Sequence, residues 1–289
     1  MAKSRQNMSL SPVSIIIPAH NEESCIRDTL ETLTEGMDPE RVQVLVSCNG
    51  CNDNTAQIAR QYPVQVLDIA EASKIAALNE ADKCAQYFPR IYMDADVLLT
   101  QASVEVICQA LNKGGIFAAS PQAHYVLESS SWAVRAFYEV WMLHPVFDTG
   151  MVGCGVYALS QEGRARFEEF PNITADDCFV RSQFAEHERV MVREAQATLF
   201  PPLTLKQLFA IKTRSRRGTA ELKQKFPDLK PTSSKSRFLF WQRLFKRPEL
   251  WLKAMAYIYV VLEASRRSKQ SPSSGQWEKD LSSRERAHC

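Results

Sequence analysis

Two aspartates separated by one residue, in Tyr92-Met93-Asp94-Ala95-Asp96-Val97, follow directly on a short apolar run. A strand running into Asp94 would set both carboxylates at its C-terminal end, where open α/β sheets bind their ligands. Side chains two apart on a strand share a face, so Asp94 and Asp96 would address one hard cation together. Mg²⁺ or Mn²⁺ held by one or two carboxylates and by substrate phosphates is the usual form of such a site. An isolated D-x-D is more often a pair of solvated acids, so the rest of the chain has to decide. A second acidic pair, Asp176-Asp177, opens a helical pattern over residues 176–184. A carboxylate beside a hydroxyl can take its proton during an attack, although two acids in a first turn also simply favour the helix.

The elements that must carry these acids are legible in the first half. Residues 13–17, 42–46, 64–67, 90–93 and 116–120 are short apolar, mostly β-branched runs that read as buried strands. Helical patterns lie between them: 21–33 with Asn21 as N-cap, a segment capped by Asn52 or Asp53 and ending at Tyr62, 73–88, and 100–111. This alternation predicts an α/β fold with a Rossmann-like, mixed but mainly parallel sheet flanked by helices. Later, 130–143 reads as helix, 156–159 as a short strand and 206–225 as a basic helix. Between the first two lies a loop with Gly150, Gly153 and Gly155, where backbone can approach a ligand closely. Gly153-x-Gly155-x-x-Ala158 fits a dinucleotide fingerprint, but it precedes a strand-like run rather than a helix.

The 289 residues are 45% hydrophobic and 24% charged, an ordinary globular composition that allows one large domain with an appendage. The net charge of +2 does not point to nucleic acid, which is not an expected partner. The charge is uneven: residues 235–269 carry nine Lys/Arg against two Glu, so the remainder sums to about −5 and the excess suggests an anionic surface as partner. Eight cysteines include one C-x-x-C, Cys48 to Cys51, without a second pair for zinc. No secretory signal is legible, and a reduced, cytoplasmic protein is expected.

Seven pieces in order resemble the inverting family 2 glycosyltransferases of GT-A fold, over about residues 13–222. Ile17-Pro18-Ala19-His20-Asn21-Glu22-Glu23 resembles the first-strand signature, and Cys48-Asn49-Gly50-Cys51-Asn52-Asp53-Asn54-Thr55 the second-strand loop. Ser73-Lys74-Ile75-Ala76-Ala77-Leu78-Asn79 resembles the "GKxxALN" segment, Asp94-Ala95-Asp96 the D-x-D, and Gly153-Cys154-Gly155 the acceptor glycine loop. Thr174-Ala175-Asp176-Asp177 resembles the acidic "ED" motif, and Arg214-Ser215-Arg216-Arg217-Gly218 the late basic motif.

The resemblance implies a metal-dependent transferase moving a sugar from a nucleotide-diphosphate donor to a hydroxyl of a saccharide or lipid-linked acceptor, in envelope, exopolysaccharide or glycolipid synthesis. It implies that Pro18, Glu22, Glu23, Asn49 and Asp53 hold the nucleoside, that Lys74 lies near the donor, and that Arg214 and Arg217 reach the diphosphate. Asp96 is then the more direct ligand of Mn²⁺ or Mg²⁺, with Asp94 towards the ribose or metal. Gly153 and Gly155 border the acceptor, Asp177 is the general base, and Asp176 positions it. Two departures stand out. Asn49 occupies a place where the family has aspartate, which leaves the donor base open, and the basic motif lacks the Gln and Trp of Q-x-x-R-W. A sugar-phosphate nucleotidyltransferase or a non-catalytic nucleotide- or membrane-binding protein are the alternatives; the first lacks its Gly-rich basic loop after strand one.

Residues 1–230 are expected to form the catalytic domain, 231–267 a basic, aromatic helical appendage, and 268–289 a disordered tail. Residues 254–262 are uninterrupted apolar or tyrosine, too few for the ~20 needed to span a bilayer. Such a helix suits an anionic membrane interface, peripheral on the inner face, and suits equally a cover packed on the catalytic domain.

Overall fold

The computed structural model describes residues 11–229 and 235–270. One sheet of eight strands runs in the order β3-β2-β1-β4-β7-β6-β8-β5. Its strands are β1 (Val13–Ala19), β2 (Val42–Asn49), β3 (Gln65–Ile69), β4 (Arg90–Met93), β5 (Leu98–Leu99), β6 (Ala118–Tyr125), β7 (Val156–Leu159) and β8 (Arg189–Leu199). The helices are α1 (Ile26–Thr34), α2 (Thr55–Ala59), α3 (Lys74–Cys84), α4 (Gln101–Leu111), α5 (Trp132–Trp141), α6 (Gln161–Arg164), α7 (Asp176–Ser182), α8 (Leu205–Lys225), α9 (Lys235–Phe245) and α10 (Trp251–Gln270). Strands β3, β2, β1 and β4 are parallel neighbours, as are β6 and β8. β7 runs antiparallel to β4 and β6, and β5 antiparallel to β8. The mixed, mainly parallel sheet expected from the sequence is present.

The composition of β1 explains its position. Ile15 and Ile17 join a core with Ile26, Leu30 and Leu33 of α1 and Ile107 of α4. Ile16, pointing the other way, joins a second core with Ile75, Leu78 and Ala81 of α3. A strand covered on both faces has no polar side to present, so its sequence runs apolar without alternation.

Several boundaries differ from the sequence reading, each for a local reason. Asn21 does not cap α1, which starts at Ile26; Asn21 has φ 54° and belongs to the preceding loop. β6 continues through Pro121 to Tyr125, because the missing N–H falls at a register shift against β8. That same irregularity hides β8 from sequence inspection: Arg193 and Glu194 break the alternation before Ala195 and Ala197 return to the core. α10 extends through Gln270, so residues 268–270 of the expected tail are helical, and the rest of that tail, 271–289, lies outside the described residues.

The C-terminal helices do pack on the domain. Val260 of α10 enters a cluster with Phe137 of α5 and Leu208 of α8, and Ala254 another with Phe240 and Leu244 of α9. Their outer sides stay apolar and exposed, with Met255 62% and Leu262 63% accessible. No helix among the described residues is long and apolar enough to cross a membrane.

Candidate active site

Parallel strands deliver their C-terminal ends to one edge of the sheet, and the loops leaving β1 and β2 are laced together there. The Asn52 N–H donates to Asn21 Oδ1 at 2.6 Å, the Glu22 N–H to Thr55 Oγ1 at 2.7 Å, and the Glu23 N–H to Asp53 Oδ2 at 3.2 Å. In return the Asn54 N–H and side-chain amide both donate to Glu23 Oε2 at 3.1 Å. Asp53 also accepts from the Thr55 N–H at 3.1 Å. It therefore ties the loop to α2 without being its N-cap, which is Asn54. Asn49 is 0% exposed, and its amide donates to Ala19 O at 2.9 Å, so it joins two strand ends and presents no surface. Pro18 lies buried within β1, opposite Ser47, rather than in the loop. Of the five nucleoside-side residues expected, Glu22, Glu23 and Asp53 border the open edge, and Pro18 and Asn49 lie beneath it.

The acidic centre forms one strand further on. β4 ends at Met93, so Asp94 and Asp96 sit in a turn instead of on one strand face. The turn is fixed by the Val97 N–H donating to Asp94 O at 3.3 Å and by Thr29 Oγ1 donating to Ala95 O at 2.8 Å. Asp94 is also anchored to the glycine loop: its N–H donates to Gly155 O at 2.8 Å. Gly155 has φ 59°, and a Cβ there would stand 2.7 Å from Val97 Cγ2 and 3.1 Å from Asp94 Oδ2. Only glycine fits this contact.

Lys74 joins the pieces. Ser73 caps α3, accepting from the Ala76 N–H at 3.2 Å, and Lys74 is the first helical residue. Its Nζ donates to Asp94 Oδ1 at 3.0 Å and to Asp176 Oδ1 at 3.2 Å. Burial by itself would lower the Lys74 pKa; Asp176 and Asp94, with Asp177 beyond, overcome it and hold the ammonium well above the usual lysine value. Asp176 is 3% exposed. Burial pushes its carboxyl up to about 6, with Lys74 working against the shift and the charges of Asp177 and Asp94 adding to it. Among the described residues, its Oδ2 and the hydroxyl of buried Tyr157 have no hydrogen-bond partner. Asp177 by contrast is exposed, accepting at Oδ1 from the Cys178 N–H at 2.7 Å. The two neighbours are thus a buried, lysine-held acid and an open one.

α8 closes this side. A Cβ on Gly218 would stand 3.1 Å from Thr174 Cβ, and Glu221 Oε2 accepts from the Thr174 N–H at 3.1 Å. The helix that carries Arg214 and Arg217 therefore lies against the segment leading into Asp176, with both arginines half-buried. Across the glycine loop, Tyr125 donates its hydroxyl to Gly153 O, and a Cβ on Gly153 would stand 2.8 Å from Trp141 Cη2. Tyr157, Tyr125 and Trp141 were not singled out from sequence; each sits in an ordinary apolar pattern that carries no separate signal.

A mixed α/β sheet with an acidic, lysine-bridged centre at its strand ends is the framework of a GT-A glycosyltransferase, and comparison with known proteins agrees. The family model described as glycosyl transferase family 2 matches residues 14–162, just over half of the chain. The protein belongs to that family. Curated relatives from Staphylococcus aureus strains, named 4,4'-diaponeurosporenoate glycosyltransferase, are 26% identical over 179 residues, covering 58% of this chain. The chain spans 44% of the length of those relatives. A mannosyltransferase from Pyrobaculum calidifontis, solved with GDP-Man and Mn²⁺, superposes with TM-score 0.62 at 18% identity over 92% of this chain and 77% of that one. Glucosyl-3-phosphoglycerate synthase from Mycobacterium tuberculosis, solved with Mn²⁺, UDP and product, gives 0.52 at 18% over 77% and 82%. At that identity the likeness is one of fold.

Proposed function

We propose that this protein transfers a sugar from a nucleotide-diphosphate donor to an acceptor hydroxyl with inversion at the sugar carbon. The observation that carries the reading is the Lys74 bridge, which draws Asp94 and Asp176 together and leaves Asp177 open beside the glycine loop. Lys74 holds Asp176 ionised and fixes the start of α7. Asp177 then faces the cleft as the base that accepts the hydroxyl proton. Glu22, Glu23 and Asp53 line the nucleoside side, and Arg214 and Arg217 lie on the helix that approaches the diphosphate from α7.

The oxygen donors suit a hard divalent cation, Mn²⁺ or Mg²⁺. Among the described residues no group of three or more His, Cys, Asp or Glu is placed to hold a metal. A cation here would rest on Asp96 and Asp94 and complete its shell with donor phosphate and water. When bound it would stabilise negative charge on the departing diphosphate. The related structures bind GDP-Man or UDP, so both bases belong in the test. Nucleotide-sugars should raise Tm only with Mn²⁺. At about a hundredfold excess over Kd the expected stabilisation is about 2.7 kcal/mol, several degrees for a chain of this size. Asp96→Ala should abolish the shift while melting normally without ligand. A full shift in Asp96→Ala would remove the metal assignment, and no shift with any donor would remove the transferase reading.

Residues 1–230 then serve as the catalytic domain, and 231–267 as an appendage that rests on the cytoplasmic face of an anionic membrane. The support is the outer side of α9 and α10, where Phe238, Phe245, Trp251, Leu252, Met255, Tyr259 and Leu262 are exposed beside Lys246, Arg247, Arg266 and Arg267. Aromatic and aliphatic side chains flanked by cations are what an anionic lipid interface takes up. The protein should co-sediment with phosphatidylglycerol vesicles and much less with phosphatidylcholine. Leu252→Glu with Met255→Glu should weaken that binding by about tenfold or more, since each exposed side chain inserted contributes about 1.5–3 kcal/mol. Equal binding to both vesicle types, unaffected by the double substitution, would exclude this docking face.

A further inference from the structure

Lys212, on α8, is half-buried, with its ammonium facing rings rather than acids. Nζ stands 3.7 Å from the Trp141 ring centroid, 5.0 Å from Phe137 and 5.4 Å from Tyr138. A ring face offsets part of the loss of hydration but accepts no conventional hydrogen bond. The acids on the segments around Trp141 have other partners: Glu139 of α5 pairs with Lys253, and Asp148 with Arg243. Among the described residues Lys212 has no carboxylate or hydrogen-bond partner, and burial is the sole cause acting on it, lowering its pKa to about 7. Lys212 is half-buried, so the fold keeps its ammonium over a cluster of rings, within reach of solvent and with no protein acceptor among the described residues.

The position gives this arrangement meaning. The same Trp141 ring that faces Lys212 meets the backbone at Gly153, and Tyr125, which packs on Trp141 at 6.0 Å between centroids, holds Gly153 O. Two residues along, Gly155 touches Asp94. One ring thus separates Lys212 from the loop bordering the acidic centre. The apolar side of the pocket continues through Phe137 to Tyr257 of α10, stacked at 5.4 Å, and so to the helix whose outer side is exposed and apolar.

We propose that Lys212 and the rings of Trp141, Tyr138 and Phe137 form a recognition subsite for the acceptor, taking an anionic group carried on an apolar body. This deepens the glycosyl-transfer reading by naming the acceptor class and rests on it. An anion reaching Lys212 supplies acceptors that no described side chain gives it, and Trp141, the part-exposed ring of the three, covers the adjoining hydrocarbon. A neutral saccharide offers neither.

Direct binding by calorimetry, without donor or metal, tests the subsite apart from catalysis. The probes are octyl phosphate and octanoate, with 1-octanol and inorganic phosphate as the apolar-only and anion-only controls, all below aggregation. The wild type should bind at least one of the two anionic amphiphiles, and Lys212→Met should lose about tenfold or more of that affinity, the scale of one charge-assisted hydrogen bond. Lys212→Arg should retain most of it. 1-Octanol should bind both forms equally weakly, and inorganic phosphate should bind weakly. Methionine suits an aromatic pocket, so unchanged Tm in Lys212→Met separates lost recognition from lost fold. Undiminished amphiphile binding in folded Lys212→Met would overturn the proposal, as would binding of neither amphiphile, or inorganic phosphate binding as tightly as octyl phosphate. None of these outcomes bears on metal-dependent donor binding, whose failure would instead remove the transferase reading.

Discussion

Lys74→Met should be the most damaging single substitution in the centre, losing about 3–5 kcal/mol of stability together with activity. Lys74 is the cation that Asp176 pairs with, and Asp176 is 3% exposed with one oxygen lacking a partner among the described residues. Without the ammonium, a buried carboxylate must either stay charged and uncompensated or take up a proton. Asp94 adds less, because its side chain is 44% accessible and water screens it. The pH dependence follows from the sign of the shift. A carboxyl raised above its ordinary value of 3.8 imposes no penalty below that pH. The penalty builds as pH rises through the folded value, about 6 with Lys74 present and higher without it. Lys74 is itself raised, so its contribution is fully present at neutral pH and constant there. Urea denaturation should show Lys74→Met losing more stability at pH 8 than at pH 4. Lys74→Met combined with Asp176→Asn should recover most of the loss at pH 8. An unchanged midpoint at pH 8 would mean that the bridge contributes nothing.

Asp177→Asn should separate binding from transfer. Asp177 is exposed, and its side chain accepts from the neighbouring Cys178 N–H, so the fold and the metal-dependent Tm shift should survive. Turnover should fall by about 10²–10⁴, the usual contribution of a positioned base. Asp176→Asn should differ, lowering stability and turnover together, because its carboxylate holds Lys74 as well as the helix start. Near-wild-type turnover of Asp177→Asn with a working acceptor would transfer the base role to another group.

The parallel half of the sheet was legible because β1, β2 and β4 are buried on both faces and advertise it with continuous apolar runs. β8 was not, since it pairs with β6 through an irregular register that scrambles its alternation, and β5 is only two residues long. The site was legible residue by residue but not as an assembly. Lys74, Asp94 and Asp176 each stood in a motif, yet the ion pairs joining them span 20 and 102 residues of sequence, a distance no local pattern encodes. Asn49 and Asp53 show what a motif position leaves out: beside the ligand role it implies, their hydrogen bonds hold strand ends and neighbouring loops together. Lys212 was invisible because a lysine in a basic helical stretch looks solvated, and only the fold brings the rings of α5 around it.

The lacing of the β1 and β2 loops carries a thermodynamic consequence. Their backbones are already fixed by reciprocal bonds among Asn21, Glu22, Glu23, Asn52, Asp53 and Asn54. Under the proposed function, a nucleotide settling against them would find a mould rather than two strings, and most of the freedom lost on capture would be the ligand's own. Affinity on that flank should then vary little with changes that merely stiffen the chain, and selectivity among bases should reside in the shape of a surface set before the donor arrives.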